Sequence, residues 1–125
     1  MDKPILTAPF FVFEGNSLDI FQTIDEIEQK IEPIDVLNHE YAIYDVSGNI
    51  LKFHVVKTET RFLGVLNIMV NTVRFSHILA TSQQALFQRM QQTYLAWGGS
   101  ETDELSFDEL KNQLFDLLQY IVNSK

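Results

Sequence analysis

The sequence contains no cysteine, which excludes disulfide bonds, thiolate catalysis, Fe–S clusters and Cys-based zinc sites. Its five glycines match neither the P-loop nor the Gly-x-Gly-x-x-Gly dinucleotide fingerprint, so nucleotide hydrolysis is not expected. No serine lies in a Gly-x-Ser-x-Gly motif, which argues against a hydrolase of that type. Because no catalytic constellation is present, we expect a protein without enzymatic activity and without a cofactor.

Long hydrophobic runs are also absent. Arg61, Asn67, Asn71 and Arg74 interrupt the most apolar region, which therefore falls short of the roughly 18 residues of a membrane span. The N-terminus has neither the basic start nor the apolar stretch of a secretory signal. We therefore expect a cytoplasmic protein that does not bind membranes, and the lack of cysteine is consistent with a reducing compartment.

Charge is distributed unevenly along the 125 residues, a length typical of one domain. The formal net charge is −8. Residues 1–45 hold ten acids and two bases, residues 46–100 hold one acid and five bases, and residues 101–125 hold six acids and two bases. An acidic chain is poorly suited to nucleic acid. It suits a basic protein partner, although an acidic surface also serves solubility.

Two β-strands and a helix are predicted in the first third of the chain. Apolar runs at 9–13 and 18–21 flank the turn-forming segment 14–17, which favours a β-hairpin. A helix beginning at Ser17 is the alternative, since isoleucines also recur there at helical spacing. Thr23 and Glu26 form a capping-box pattern, so we place the helix start at Thr23. The helix should end at Glu32, because Pro33 disfavours helical geometry in the residue before it.

The segment 39–53 predicts a second hairpin. Asp45 can open a type I turn and Gly48 can adopt a positive φ, giving a three-residue loop. This loop places Ile43 opposite Leu51 and Tyr41 opposite Phe53, on the face turned to the core. Judged from backbone geometry alone, Gly48→Val should cost about 1–2 kcal/mol.

The second half of the chain predicts one strand followed by two helices. Residues 62–70 are apolar at both parities, as expected for a central strand covered on both faces. A helical pattern runs from Ser76 to Trp97, with Thr81 or Ser82 as the alternative start. A last helix begins at a second capping box at Ser106. Its expected buried residues are Leu110, Leu114, Leu117, Leu118 and Ile121.

These elements predict a single α+β domain over residues 1–125. Their order is ββα, ββ, β, αα, without the strand–helix–strand alternation that builds parallel sheets. We therefore expect an antiparallel sheet of about five strands packed against helices.

Two groups of side chains are candidates for binding small ligands. His39 and His54 could approach each other across the second hairpin, with Glu40 opposite His54, and so bind a metal. A simple cross-strand contact between Glu40 and a histidine is favoured instead, and we predict that no metal binds there. The phenylalanines of the first hairpin could line a cavity, but at strand spacing core packing is the favoured interpretation; they are Phe10, Phe11, Phe13 and Phe21.

The first helix carries an acidic stripe that local stability does not explain. Glu28 and Glu32 repel each other at i, i+4 near the negative end of the helix dipole, and Asp35 follows just beyond. A tolerated solvated face is one interpretation. The other is that Glu28, Glu32 and Asp35 form part of a surface that binds a basic partner.

Two segments within residues 9–55 resemble a known group of proteins. They are Ile31-Glu32-Pro33-Ile34-Asp35-Val36 and the hairpin pattern that starts at Glu40-Tyr41 and ends at Ile50-Leu51. The pair is similar to small bacterial proteins suspected of being immunity proteins to secreted polymorphic toxins. This resemblance implies a non-enzymatic protein that blocks a basic toxin domain. An acidic secretion or folding chaperone and a small-molecule-binding domain remain alternatives, and the oligomeric state is open.

Overall fold

A computed structural model describes residues 5–62, 64, 66–100 and 104–123. The elements in chain order are β1 (Phe10–Glu14), β2 (Ser17–Phe21), α1 (Ile24–Lys30), α2 (Pro33–Leu37), β3 (Tyr41–Asp45), β4 (Asn49–Phe62), β5 (Leu66–Thr81), α3 (Gln83–Ala96) and α4 (Phe107–Asn123). The strands form one antiparallel sheet in the order β2-β1-β3-β4-β5. This confirms the predicted α+β class and the five-stranded antiparallel sheet.

Helices cover both faces of the sheet. On one face, α1 and α2 pack on a cluster that contains Phe10, Val12, Ile27, Ile31, Ile43, Leu51, Phe53 and Val73. On the other face, α3 and α4 pack on a second cluster that contains Phe11, Phe13, Leu18, Tyr44, Leu86, Met90, Leu110 and Leu114. The phenylalanines of β1 are therefore core residues, as predicted. Within the described residues, no helix is long and apolar enough to cross a membrane.

The first hairpin and the helix after it follow the sequence closely. Glu14 lies opposite Ser17 across the turn, and Thr23 is the N-cap of α1. The Thr23 hydroxyl accepts the Glu26 N–H at 3.1 Å and also donates to the Glu26 carboxylate at 3.1 Å. The helix ends at Lys30 rather than Glu32, and a separate short helix, α2, begins at Pro33.

The second hairpin has the predicted loop, and β3 and β4 agree with the predicted register at the one pair that they form. Gly48 has a φ of 88°, and its N–H donates to the Asp45 carbonyl at 3.1 Å. The buried Asp45 carboxylate accepts the backbone N–H groups of Ser47 and Asn49 at 3.0 and 2.9 Å. Tyr44 lies opposite Ile50, which is the predicted alignment. The loop is thus stabilised by the Asp45 side chain, and it requires the positive φ of Gly48.

The position predicted for the apolar segment 62–70 is wrong. Phe62 is the last residue of β4, residues 63 and 65 lie outside the described part, and residues 66–70 begin β5, which lies at the edge of the sheet rather than at its centre. Side chains on both faces of this strand are apolar, yet Leu66 and Met69 are each 60% exposed. They are exposed because the ends of β4 and β5 pair only with each other and extend beyond the helices. We call this extension, residues 57–62 and 66–71, the arm.

The third and fourth helices begin at hydroxyl N-caps. β5 continues to Thr81, so the helix start predicted at Ser76 is wrong and the alternative start is right: Ser82 caps α3, and its Oγ accepts the Ala85 N–H at 3.1 Å. Ser106 Oγ accepts the Glu109 N–H at 3.3 Å, as the second capping box predicts. Of the residues expected to be buried in α4, Leu110 and Leu114 are buried, and Leu117 and Leu118 are half-buried; the side chain of Ile121 lies outside the described part.

Candidate protein-binding site

Three carboxylates converge where β1 ends and β3 begins. Glu14 is the last residue of β1, Asp35 lies in α2, and Glu40 immediately precedes β3; one carboxylate oxygen of each lies within 4.8 Å of those of the other two. The backbone positions them, because Glu14 lies opposite Tyr41 and the Glu40 N–H donates to the Asp35 carbonyl at 3.0 Å. Antiparallel pairing thus brings together acids that are far apart in sequence.

The hydroxyl group of Tyr41 is hydrogen-bonded to residues of this acidic region. Its hydroxyl donates to Asp35 Oδ2 at 3.2 Å and accepts the Glu32 N–H at 3.2 Å. Burial of the ring raises the pKa of Tyr41 to about 12, so the hydroxyl remains a donor at physiological pH. The side chain of Asp35 and the start of α2 are therefore fixed to the sheet by one phenol.

The carboxylates disfavour one another's ionisation. Burial raises the pKa of Glu14, and the charges of Asp35, Glu32 and Asp19 raise it further. A hydrogen bond and the charge of Asp35 raise the pKa of Glu40. We define the acidic patch as these five residues, namely Glu14, Asp19, Glu32, Asp35 and Glu40.

The acidic patch is not neutralised by nearby bases. Across the part of the chain that the structure describes, the ion pairs join Arg74 to Glu28 and Lys111 to Asp108, and neither includes a residue of the patch. A site made only of carboxylate oxygens can coordinate a hard metal cation. The same oxygens can accept hydrogen bonds from ammonium or guanidinium groups. The arrangement can therefore bind positive charge supplied from outside.

An apolar cleft of about 240 Å³ adjoins the acidic patch. It lies between β3 and β4, and it shares Tyr41 with the patch. Its lining residues are Val36, His39, Tyr41, Ala42, Ile43, Ile50, Leu51, Lys52, Phe53 and Leu79. Next to it, Ile34 and Leu37 of α2 are 62% and 60% exposed. Charge and apolar surface are thus combined at one end of the sheet, which is a composition found in protein interfaces.

The residues predicted for partner binding do not all lie here. Glu32 and Asp35 belong to the acidic patch. Glu28 lies elsewhere: its carboxylate accepts the Phe75 N–H at 2.8 Å, lies 3.8 Å from the Arg74 guanidinium, and is only 14% exposed. The contacts of Glu28 with Phe75 and Arg74 therefore offset the repulsion between Glu28 and Glu32 on the first helix.

Sequence reasoning missed Glu14 and Glu40 as members of this site. The sequence pattern favours a cross-strand contact between Glu40 and a histidine, with a metal site formed with His39 and His54 as the alternative. Among the described residues, the group of three ligand-type side chains within 4.8 Å contains Glu40 but neither histidine. Both histidines are exposed, and His39 has a positive φ of 56° at the end of α2. The alignment of β1 with β3 was the missing information.

Comparison with other proteins adds no relative. No protein-family model, no curated protein and no solved structure matches this chain.

Proposed function

We propose that this domain is a non-enzymatic protein-binding module whose acidic patch binds a basic segment of a partner protein. The observation that carries this proposal is the convergence of Glu14, Asp35 and Glu40, with no basic residue paired to them in the described structure. Like charges held this close cost free energy, and a cation from a partner would recover it.

The cleft beside the patch specifies the partner further. A volume of about 240 Å³ is small for a drug-sized ligand, but it accommodates one apolar side chain of a bound protein. The exposed Ile34 and Leu37 would enlarge the apolar contact. The expected binding segment therefore carries lysine or arginine next to a large apolar residue, and it would bury both.

The net charge of −8 would add long-range attraction to a basic partner and accelerate association. Together with the resemblance of residues 9–55 to immunity proteins, this favours a toxin domain with a basic active-site surface as the partner. In that role, the domain would neutralise the toxin by covering its active site.

The test compares two variants of equal charge. The patch variant Glu14→Gln/Asp35→Asn/Glu40→Gln is compared with the control Glu104→Gln/Glu109→Gln/Asp116→Asn, whose residues are exposed near or on α4. A basic protein captured from native lysate would be purified, and its affinity would be measured by calorimetry between about 50 and 200 mM salt.

The patch variant should bind at least about tenfold more weakly, and its affinity should depend less on salt. The control should stay within about twofold of the unmodified domain. Equal losses in both variants would show that only overall charge matters and would refute a specific site. Retained affinity in the patch variant would place the interface elsewhere.

A further inference from the structure

The outer edge of β5 is closed near the helices and open along the arm. Near the helices, the Phe75 N–H points away from β4 and donates to Glu28 at 2.8 Å. Backbone groups alternate sides along an antiparallel strand, and the β4–β5 register is regular from Phe75 to Leu66. The N–H groups of Asn71, Met69 and Asn67 therefore also point outward. These three residues are exposed, and in the described structure no other strand pairs with this edge.

The free edge of β5 lacks the features that normally prevent strand pairing. Segment 66–73 contains no charge, no proline and no glycine. Its exposed apolar residues are Leu66, Ile68, Met69 and Val70. The other edge of the arm differs, because β4 carries Lys57, Glu59 and Arg61 at alternate positions. One edge is thus guarded by charge and the other is not, which favours a closed pair over an open chain of copies.

We propose that the arm mediates homodimerisation, with β5 pairing antiparallel to β5 of a second copy across a two-fold axis at Met69. In this register Asn67 lies opposite Asn71 of the second copy, and Met69 lies opposite its own equivalent. The joined arms form a four-stranded ribbon, whereas a two-stranded ribbon alone is marginally stable in water. This surface is separate from the acidic patch, so either proposal can fail without the other.

The uncharged segment 66–73 favours a second copy as the occupant of this edge. The arm contains Lys57, Arg61 and one acid, Glu59, so its net charge is small and two arms can approach each other with little repulsion. The paired segment itself is uncharged, and in the dimer the charges lie on β4, one strand away from the seam. Antiparallel pairing also places the two acidic bodies at opposite ends of the ribbon, where their repulsion is smallest.

The interface is short, because the arm pairs over about 20 Å at about 3.4 Å per residue. Such an interface is at the low end of specific contacts, so we expect a dissociation constant on the order of 10 to 100 micromolar. Sedimentation velocity over a concentration series should show the full chain passing from monomer to dimer across that range. A monomer at all concentrations up to about 1 mM would overturn the proposal.

Two charge variants test both the occupant and the register. Met69→Lys and Met69→Glu should each be monomeric, because like charges would face each other at the axis. An equimolar mixture of the two should dimerise, since lysine then lies opposite glutamate. Thr60→Lys adds the same charge to β4 and should leave the dimer intact. Circular dichroism would check the fold, because Met69 is 60% exposed but lies opposite Glu59 of the same arm.

Three results would contradict this interface. The first is a Met69 variant that dimerises as well as the unmodified chain, and the second is a mixture that stays monomeric. The third is amide hydrogen exchange at Asn67, Met69 and Asn71 that does not slow on dimerisation, because these outward N–H groups are the ones that pairing would protect.

Discussion

Replacing Gly48 with alanine should destabilise the domain by about 2–5 kcal/mol, through two separate effects. The φ of 88° disfavours any residue with a Cβ, at about 1–2 kcal/mol. A Cβ would also lie 2.6 Å from the Gln83 nitrogen and 2.9 Å from the Ser82 carbonyl carbon. Backbone atoms cannot rotate away as a side chain can, so the start of α3 must shift, at a further cost of about 1–3 kcal/mol.

Gly15→Ala isolates the first effect. Gly15 also has a positive φ, 59°, but a Cβ there would have no neighbour within 4 Å. It should therefore cost only about 1–2 kcal/mol. Urea unfolding followed by circular dichroism would measure both free energies of unfolding, and a parallel hydrogen-exchange experiment would monitor the Ser82 amide, which donates to the Gly48 carbonyl at 2.8 Å. If the two variants differ by less than about 0.5 kcal/mol, contact with α3 does not contribute.

Three further predictions concern carboxylates. Asp45→Ala removes the acceptor of the Ser47, Asn49 and Thr7 N–H groups and should lower the free energy of unfolding by about 3–5 kcal/mol, measured in urea; a loss below about 1 kcal/mol would contradict the role given to this side chain. Glu28→Ala should cost about 1–3 kcal/mol and accelerate amide exchange at Phe75, whereas unchanged exchange would show that the edge is closed by other means. The pKa values of Glu14 and Glu40 are raised from their ordinary 4.5, so each binds more protons when folded, and rising pH disfavours folding from about 4.5 upward. Glu14→Gln/Glu40→Gln should therefore have a higher Tm than the unmodified protein at pH 7, with a difference that shrinks as pH falls towards 4.5; a difference independent of pH would refute this linkage.

Features set by neighbouring residues could be predicted from the sequence. The Asp45–Gly48 loop was predictable because its hydrogen bonds and its positive φ involve residues within one turn. The N-cap at Thr23 was predictable for the same reason. We expect a larger cost of changing Gly48 than backbone geometry alone predicts, because its contact with Gln83 joins segments that only the tertiary fold brings together.

Features that depend on distant neighbours could not be predicted. The apolar residues of segment 66–70 fit a buried central strand, and nothing local distinguishes that from an exposed arm. The acidic patch depends on the alignment of Glu14 with Tyr41, and hence on β1 lying next to β3 rather than only next to β2. The sequence indicates no partner for Glu28, because the N–H group that its carboxylate accepts belongs to Phe75, which is distant in sequence.

The two-sided burial of β1 bears on how the domain unfolds. Phe10 and Val12 belong to the cluster under α1 and α2, while Phe11 and Phe13 belong to the cluster under α3 and α4. Neither layer can lose its packing without exposing a strand that the other layer also requires. We therefore expect the two hydrophobic clusters to unfold as one cooperative unit despite lying on opposite sides of the sheet, with no stable half-folded form in which only one pair of helices has detached.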